Sequence, residues 1–148
     1  DGAKGTAVRG VGMAFRSLRY EAMKQFKFYE VDIEEIEPRI IALDYGNYLV
    51  TADIVRSLLI KIKKDWPEQK VALLSTAEAI SNLDKVAHVL EELKASEFIC
   101  AGAILVRNRL QADIAQAFVK IPTAGEYPQK IFVDKDEALC WLREKLAA

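Results

Sequence analysis

The sequence predicts an α/β fold with a mixed, mostly parallel sheet of five strands. Short apolar runs alternate with amphipathic stretches along the chain, in the order β-β-α-β-α-β-α-β-α. This alternation is typical of parallel strands joined by crossover helices. Two of the runs, residues 71–74 and 98–106, have almost no polar residues, which indicates strands buried on both faces.

The first two strands are predicted to form a hairpin. Alternating apolar residues indicate a strand over residues 26–33, and the acidic run that ends at Pro38 suits a turn. Residues 39–45 form the second strand, which a Gly-Asn pair ends. The third and fourth strands are the two apolar runs, and a fifth covers residues 130–133.

Four helices are predicted from cap residues and apolar periodicity. Their N-terminal caps are Thr51, Ser81, Asn108 and Asp134, and Pro67 ends the first helix. The side chains predicted to face the sheet are Ile54, Val55, Leu58, Leu59 and Ile62 in the first helix, Leu83, Val86, Ala87, Leu90 and Leu93 in the second, Leu110, Ile114, Phe118 and Val119 in the third, and Ala138, Leu139, Leu142 and Leu146 in the last.

The chain of 148 residues has the length of one ordinary domain. Residues 1–12 hold four of the seven glycines, a composition that buries too little apolar surface to order itself. We therefore expect residues 1–24 to be a flexible arm, or a remnant that is not native, with a short lead-in. Residues 25–148 are predicted to form a single domain.

Composition excludes several classes of function. The net charge of −1 gives no basic excess for nucleic-acid binding, and no apolar run reaches the length of an integral membrane helix. Two cysteines and one histidine argue against a disulfide framework and a metal site. No cofactor motif or targeting segment is recognised, so we expect a cytoplasmic protein without a cofactor or metal.

Candidate site residues follow the predicted strands, because ligands of open α/β sheets bind at the carboxyl ends of strands. Ser75 and Ser81 are candidate phosphorylation switches, with a strand-end hydroxyl and a helix cap as the simpler interpretations. Arg107 and Arg109 would meet a phosphate or carboxylate, or remain solvated. The candidate ligand or partner surface comprises Tyr45, Tyr48, Arg107, Asn108, Arg109 and Phe118.

Two segments resemble a known family. Residues 100–120 and 129–146 are similar to small bacterial STAS-like, SpoIIAA-like proteins, including an alanine-glycine-alanine strand. The shared tail unit consists of Phe132, Asp134, Ala138, Leu139, Trp141 and Leu142. The resemblance implies a STAS-like domain over about residues 26–146, and some relatives share an architecture with lipid-carrying CRAL-TRIO domains.

The resemblance also implies a function in signalling. Its best-known members are anti-sigma-factor antagonists, non-enzymatic modules switched by a serine in an Asp-Ser-Ser/Thr-Gly motif. This chain has Leu-Ser-Thr-Ala at residues 74–77, without the aspartate and the glycine. The resemblance therefore leaves Ser75 and then Ser81 as the nearest candidates for the switch.

Three functions are open at this point. The first is a non-enzymatic bacterial regulatory module that binds an unidentified protein and forms a homodimer. The second is a domain of the same fold that binds a small molecule or a lipid in a pocket near Tyr45, Tyr48 and Phe118. The third is a hydrolase or transferase that uses Asp44 or Asp134, for which the sequence offers no nucleophile with a base.

Overall fold

The computed structural model describes residues 25–47, 50–77, 83–116 and 125–148. In these ranges six strands form one sheet in chain order. The strands are β1 (Gln25–Phe28), β2 (Val31–Glu37), β3 (Ile40–Gly46), β4 (Val71–Ala77), β5 (Ile99–Leu105) and β6 (Gln129–Phe132). The pairs β1–β2 and β2–β3 are antiparallel, and the pairs from β3 to β6 are parallel. The predicted α/β class and mixed, mostly parallel sheet are confirmed.

The predicted number of five strands is wrong, because residues 26–33 belong to two strands instead of one. The chain reverses at Tyr29 and Glu30, where Tyr29 has a φ of 57°. Tight hairpin turns of this kind usually contain glycine or asparagine, and neither stands here. The acidic run also stays within β2, whose register shifts between Glu35 and Glu37, and the turn comes at Pro38 and Arg39.

Four α-helices lie in the described ranges: α1 (Ala52–Asp65), α2 (Leu83–Glu92), α3 (Arg109–Gln116) and α4 (Lys135–Ala147), with a 3₁₀ turn at Ala95–Glu97. The predicted caps at Thr51 and Asp134 are confirmed. Thr51 Oγ1 accepts a hydrogen bond from the Ile54 amide at 3.3 Å, and Asp134 Oδ1 accepts one from the Glu137 amide at 3.1 Å. No helix in the described part of the chain is long and apolar enough to cross a membrane.

The two faces of the sheet are packed differently. One face buries large side chains under α1 and α2, among them Ile33, Ile41, Leu43, Leu58, Leu59, Ile62 and Leu73. The other face is covered by α4, whose Leu139 and Leu142 pack on Ala72, Ala101 and Ala103. Small residues on β4 and β5 let α4 lie close to the sheet.

The predicted orientation of α3 is wrong. Leu110 and Ile114 are 69% and 58% exposed, whereas Ala112 is buried in a cluster with Ile104 and Val106. Periodicity locates an apolar stripe on a helix but does not identify what covers it. Phe118 and Val119, the other predicted inward residues, lie outside the described residues.

Candidate functional site

A small cavity lies at the carboxyl ends of β3, β4 and β5, between the sheet and helices α1 and α2. Its volume is about 70 Å³, enough for a few water molecules or one very small ligand. The walls are mainly apolar, and four residues bring polar atoms to the lining: Tyr45, Ser75, Tyr127 and Gln129. The cavity can therefore favour a compact apolar molecule that carries one or two hydrogen-bonding groups.

Two buried tyrosines form part of this lining. Tyr45 extends from β3 toward α1, and Tyr127 directly precedes Pro128 and β6. Burial raises the pKa of both phenols above the ordinary value. Both hydroxyls therefore stay protonated at neutral pH and can donate hydrogen bonds.

Tyr127 depends on Gly102 for its position. A Cβ atom at Gly102 would lie 2.7 Å from Cε1 of Tyr127, so any side chain there would displace the ring. No sequence pattern indicated Tyr127 as a site residue. The glycine inside an apolar strand was the available signal, because such a glycine often marks a close approach of another group.

Ser75 lies within a strand, whereas the predicted strand ends at residue 74. The strand β4 continues to Ala77 because residue 75 pairs with Leu43 on one side and Ile104 on the other. Ser75 is half-buried and lines the cavity. Ser81, the second candidate switch, lies outside the described residues.

The residues Arg107, Asn108 and Arg109 lie at the start of α3, and all three are exposed. Asn108 acts as the predicted cap, since its Oδ1 accepts a hydrogen bond from the Gln111 amide at 2.9 Å. The Gln111 side chain in turn accepts a hydrogen bond from the Arg107 amide at 3.0 Å. This reciprocal pair fixes the beginning of the helix.

The cavity that contains Tyr45 does not include the two arginines of the predicted surface, whose grouping stays a prediction. Arg107 and Arg109 do not line the cavity that contains Tyr45, because β5 ends at Leu105 and the chain then turns into the solvent at residues 107 and 108. Tyr45 and Ser75 are the predicted residues that the structure does bring together. Tyr48 and Phe118 lie outside the described residues.

The arginines instead adjoin an exposed apolar pair on α3. Leu110 and Ile114 are separated by four residues, so their side chains lie on the same side of the helix. We call Arg107, Arg109, Leu110 and Ile114 the α3 surface. The apolar periodicity of α3 had indicated the core for both residues, so the exposed pair was not predicted.

The two acidic residues considered for catalysis have structural contacts. Asp44 Oδ1 accepts a hydrogen bond from the Gly46 amide at 2.9 Å, as expected of a turn residue. Asp134 caps α4. Within the described ranges no group of histidine, cysteine, aspartate and glutamate is arranged to hold a metal ion.

Comparison with known proteins gives one structure and one family. No curated protein matches the chain. The structure is that of an uncharacterised protein of the DUF3478 family from Shewanella loihica PV-4, which has a SpoIIAA-like fold. It is 17% identical, with 82% of this chain and 92% of that chain covered, and the TM-score is 0.39. A TM-score this low does not establish that the two chains share a fold, so the STAS-like resemblance stays a prediction.

The family model begins within β2 and ends within the last turn of α4. It corresponds to a domain of unknown function, DUF7793, and matches residues 35–146. Because the match spans most of the 148 residues, this chain belongs to the DUF7793 family.

Proposed function

We propose that the chain is a non-enzymatic interaction module that binds a partner protein through the α3 surface. The observation that carries this proposal is the outward position of Leu110 and Ile114, which are 69% and 58% exposed. Single exposed apolar residues are common on protein surfaces. Two large ones on one side of one helix, over a buried alanine, are the pattern of a stripe that a partner covers.

Burial of this pair would contribute usefully to binding. Full burial of a leucine or isoleucine side chain is worth about 1.5–3 kcal/mol. Only part of that gain remains to be made, since each side chain is already partly covered. The pair can therefore anchor a partner but needs flanking contacts for specificity.

The flanking charges favour an acidic partner. Arg107 and Arg109 lie at the amino-terminal end of the pair, where the helix dipole also favours negative charge. Asp113 is the exposed acidic residue between Leu110 and Ile114. We infer a partner segment that presents apolar side chains to the pair and a carboxylate to the arginines, since guanidinium groups bind carboxylates in bidentate geometry.

A regulatory role is the finer part of the proposal, and it rests on the resemblance to anti-sigma-factor antagonists. The lining position of Ser75 favours a packing role for that hydroxyl over a phosphorylation switch, because a kinase would have to reach a half-buried strand residue. A homodimer is a second possible use of the α3 surface, and the oligomeric state distinguishes it from a different partner.

The test compares two changes of exposed apolar residues. The variant Leu110→Ser/Ile114→Ser removes the pair, and Ile60→Ser is the matched control, since Ile60 is 52% exposed on α1. Partners are captured from the native cells with each protein at equal concentration and quantified by mass spectrometry. Size-exclusion chromatography with light scattering gives the oligomeric state.

We expect one partner, or the dimer, to be retained by the control and lost by the double variant. The proposal fails if both variants retain every partner and the same oligomeric state as the unchanged chain. It also fails if the control loses binding to the same degree, since the effect would then not belong to the α3 surface.

The second candidate is a binding domain for a small apolar molecule, favoured by the cavity that contains Tyr45, Ser75 and Tyr127. Its volume of about 70 Å³ is well below the 300–1,000 Å³ of usual ligand sites, so a compact molecule fits and a lipid chain does not. Native mass spectrometry of gently purified protein tests this. A retained small molecule that Ser75→Leu displaces would support the candidate, and a wild-type chain without ligand would eliminate it.

A further inference from the structure

A second, larger groove lies at the opposite end of the sheet from the cavity. It has a volume of about 360 Å³, within the range of small-molecule sites. One wall is the β2–β3 turn with Pro38 and Arg39, and the other is the segment between α1 and β4 that contains Trp66 and Pro67. The two prolines restrict the backbone of both walls.

The groove has a buried carboxylate in its lining. Glu35 is only 7% exposed and follows Val31 and Ile33 on the face of β2 that points into the core. Its Oε1 accepts a hydrogen bond from Nε1 of Trp66 at 3.2 Å, and its Oε2 accepts one from the Arg39 amide at 2.9 Å. A carboxylate has about four acceptor positions, so these two contacts fix its orientation and leave acceptor capacity for a ligand.

The charged residues that line the groove are mainly acidic. Its lining includes Glu35, Asp65 and Glu68, against the single cation Arg39 among the lining residues. The guanidinium of Arg39 is directed to main-chain oxygens, those of Lys70 at 3.4 Å and Leu146 at 3.5 Å. Asp65 is paired with Lys61 at 3.0 Å, so Glu35 and Glu68 are the carboxylates on which a ligand would depend.

An aromatic side chain completes the lining. The indole of Trp66 stacks on Phe26, with ring centroids 6.4 Å apart, and this contact together with the bond to Glu35 holds it in place. A fixed indole next to a fixed carboxylate suits a cation that is both flat and weakly hydrated. A guanidinium group meets these conditions better than an ammonium group, because it can stack and also bind a carboxylate through two donors.

We propose that this groove binds a guanidinium group on an apolar stem, as in an arginine side chain or a free alkylguanidine. The carboxylates of Glu35 and Glu68 accept its hydrogen bonds, and the stem lies along Trp66 and the proline rings. The site is separate from the α3 surface, so either proposal can fail without the other.

Tryptophan fluorescence gives a direct assay. The chain has two tryptophans, and Trp141→Phe leaves Trp66 as the reporter. The probe is n-butylguanidinium, and n-butylurea is its uncharged counterpart of similar shape. We expect n-butylguanidinium to change the fluorescence of Trp66 in a saturable way and n-butylurea to leave it unchanged.

Charge-removing variants then locate the binding. Glu35→Gln and Glu68→Gln should each weaken the affinity, by about tenfold for the buried Glu35 and less for the exposed Glu68. Glu144→Gln, an exposed change on α4, is the control and should leave it unchanged. Since Glu35→Gln removes a charge that also orients two loops, Glu68→Gln keeps the test valid if the first variant unfolds.

A comparison of N-acetylarginine amide with n-butylguanidinium distinguishes the two sources of the group. Tighter binding of the amide supports a peptide arginine as the natural ligand, and tighter binding of n-butylguanidinium supports a free alkylguanidine. The proposal is overturned if wild-type protein shows no saturable change up to about 10 mM probe, a concentration well above that of a millimolar complex. It is also overturned if n-butylurea binds equally or if both glutamine variants bind as well as the control.

Discussion

Helices α1 and α3 begin alike and pack in opposite ways. Each is amphipathic and starts with a side-chain cap, Thr51 for α1 and Asn108 for α3. Four large apolar residues of α1 are buried, namely Val55, Leu58, Leu59 and Ile62, and Ile60 is exposed. In α3 the small Ala112 is buried, and the large apolar residues face outward.

The difference follows from what each helix has next to it. Helix α1 has fourteen residues, lies on the large side chains of β3 and β4, and contacts α2 through the paired groups of Arg56 and Glu92 at 3.0 Å. Helix α3 has eight described residues and packs near β6, an edge strand of four residues. An edge this short offers little surface to cover a stripe, and Leu110 and Ile114 of α3 stay exposed.

The largest expected difference between the two helices appears when one leucine in each is truncated. Leu58→Ala should lower the free energy of unfolding by about 3 kcal/mol, because it leaves a cavity in the core. Leu110→Ala should change it by less than about 0.5 kcal/mol. Urea unfolding of both variants measures this, and a comparable loss at Leu110 would contradict the outward orientation of α3.

A smaller effect is expected where the ring of Tyr127 lies against Gly102 of β5. Gly102→Ala should cost about 2 kcal/mol, since the added methyl group overlaps the tyrosine ring. In a Tyr127→Leu background the same change should cost clearly less. A double-mutant cycle in urea measures the coupling, and strictly additive costs would show that the ring is not the cause.

The sequence was sufficient for the parts of the fold that local rules determine. The caps at Thr51 and Asp134 and the buried strands β4 and β5 follow from short patterns whose physical cause lies within a few residues. The hairpin at Tyr29 was missed because its turn lacks the usual glycine or asparagine. Its reversal depends on pairing with the rest of the sheet.

The candidate site was less predictable because its residues come from distant segments. Tyr45 and Ser75 were found at the ends of neighbouring strands, as the parallel order predicts. Tyr127 is brought to them by the crossover into β6, and Trp66 reaches Glu35 across 31 residues. No local pattern contains these distances, and for α3 the local pattern indicated the wrong side.

Alkaline pH should weaken the region under α1 and α2, where both buried tyrosines lie. Burial raises the pKa of Tyr45 and Tyr127 in the folded chain, whereas the unfolded phenols titrate near pH 10. Above that pH the unfolded chain loses protons that the folded chain keeps, so stability falls as the pH rises.

The expected loss is about 1.5 kcal/mol for the two tyrosines together between pH 9 and about pH 10.5. Urea unfolding across this range measures the loss. Tyr45→Phe and Tyr127→Phe should each remove about half of the decrease in the free energy of unfolding with pH. An unchanged slope in the double phenylalanine variant would assign the loss to other groups, such as lysines.

The smallest expected difference between the two helices is in the stability cost of removing each cap. Thr51→Ala should lower global stability by about 1 kcal/mol, because α1 is part of the core and its first turn loses an acceptor. Asn108→Ala removes a cap of similar geometry, but a helix that buries only Ala112 among its described residues can fray without unfolding the sheet. Hydrogen exchange should then show faster exchange confined to α3, with the protection of β4 and β5 unchanged.

Slower binding of the partner to Asn108→Ala, without loss of global stability, is the expected companion result, since the cap positions Arg107, Arg109 and Leu110 for contact. Equal global losses for the two caps would mean that α3 is as firmly attached as α1, and the contrast between the helices would then be one of exposure alone.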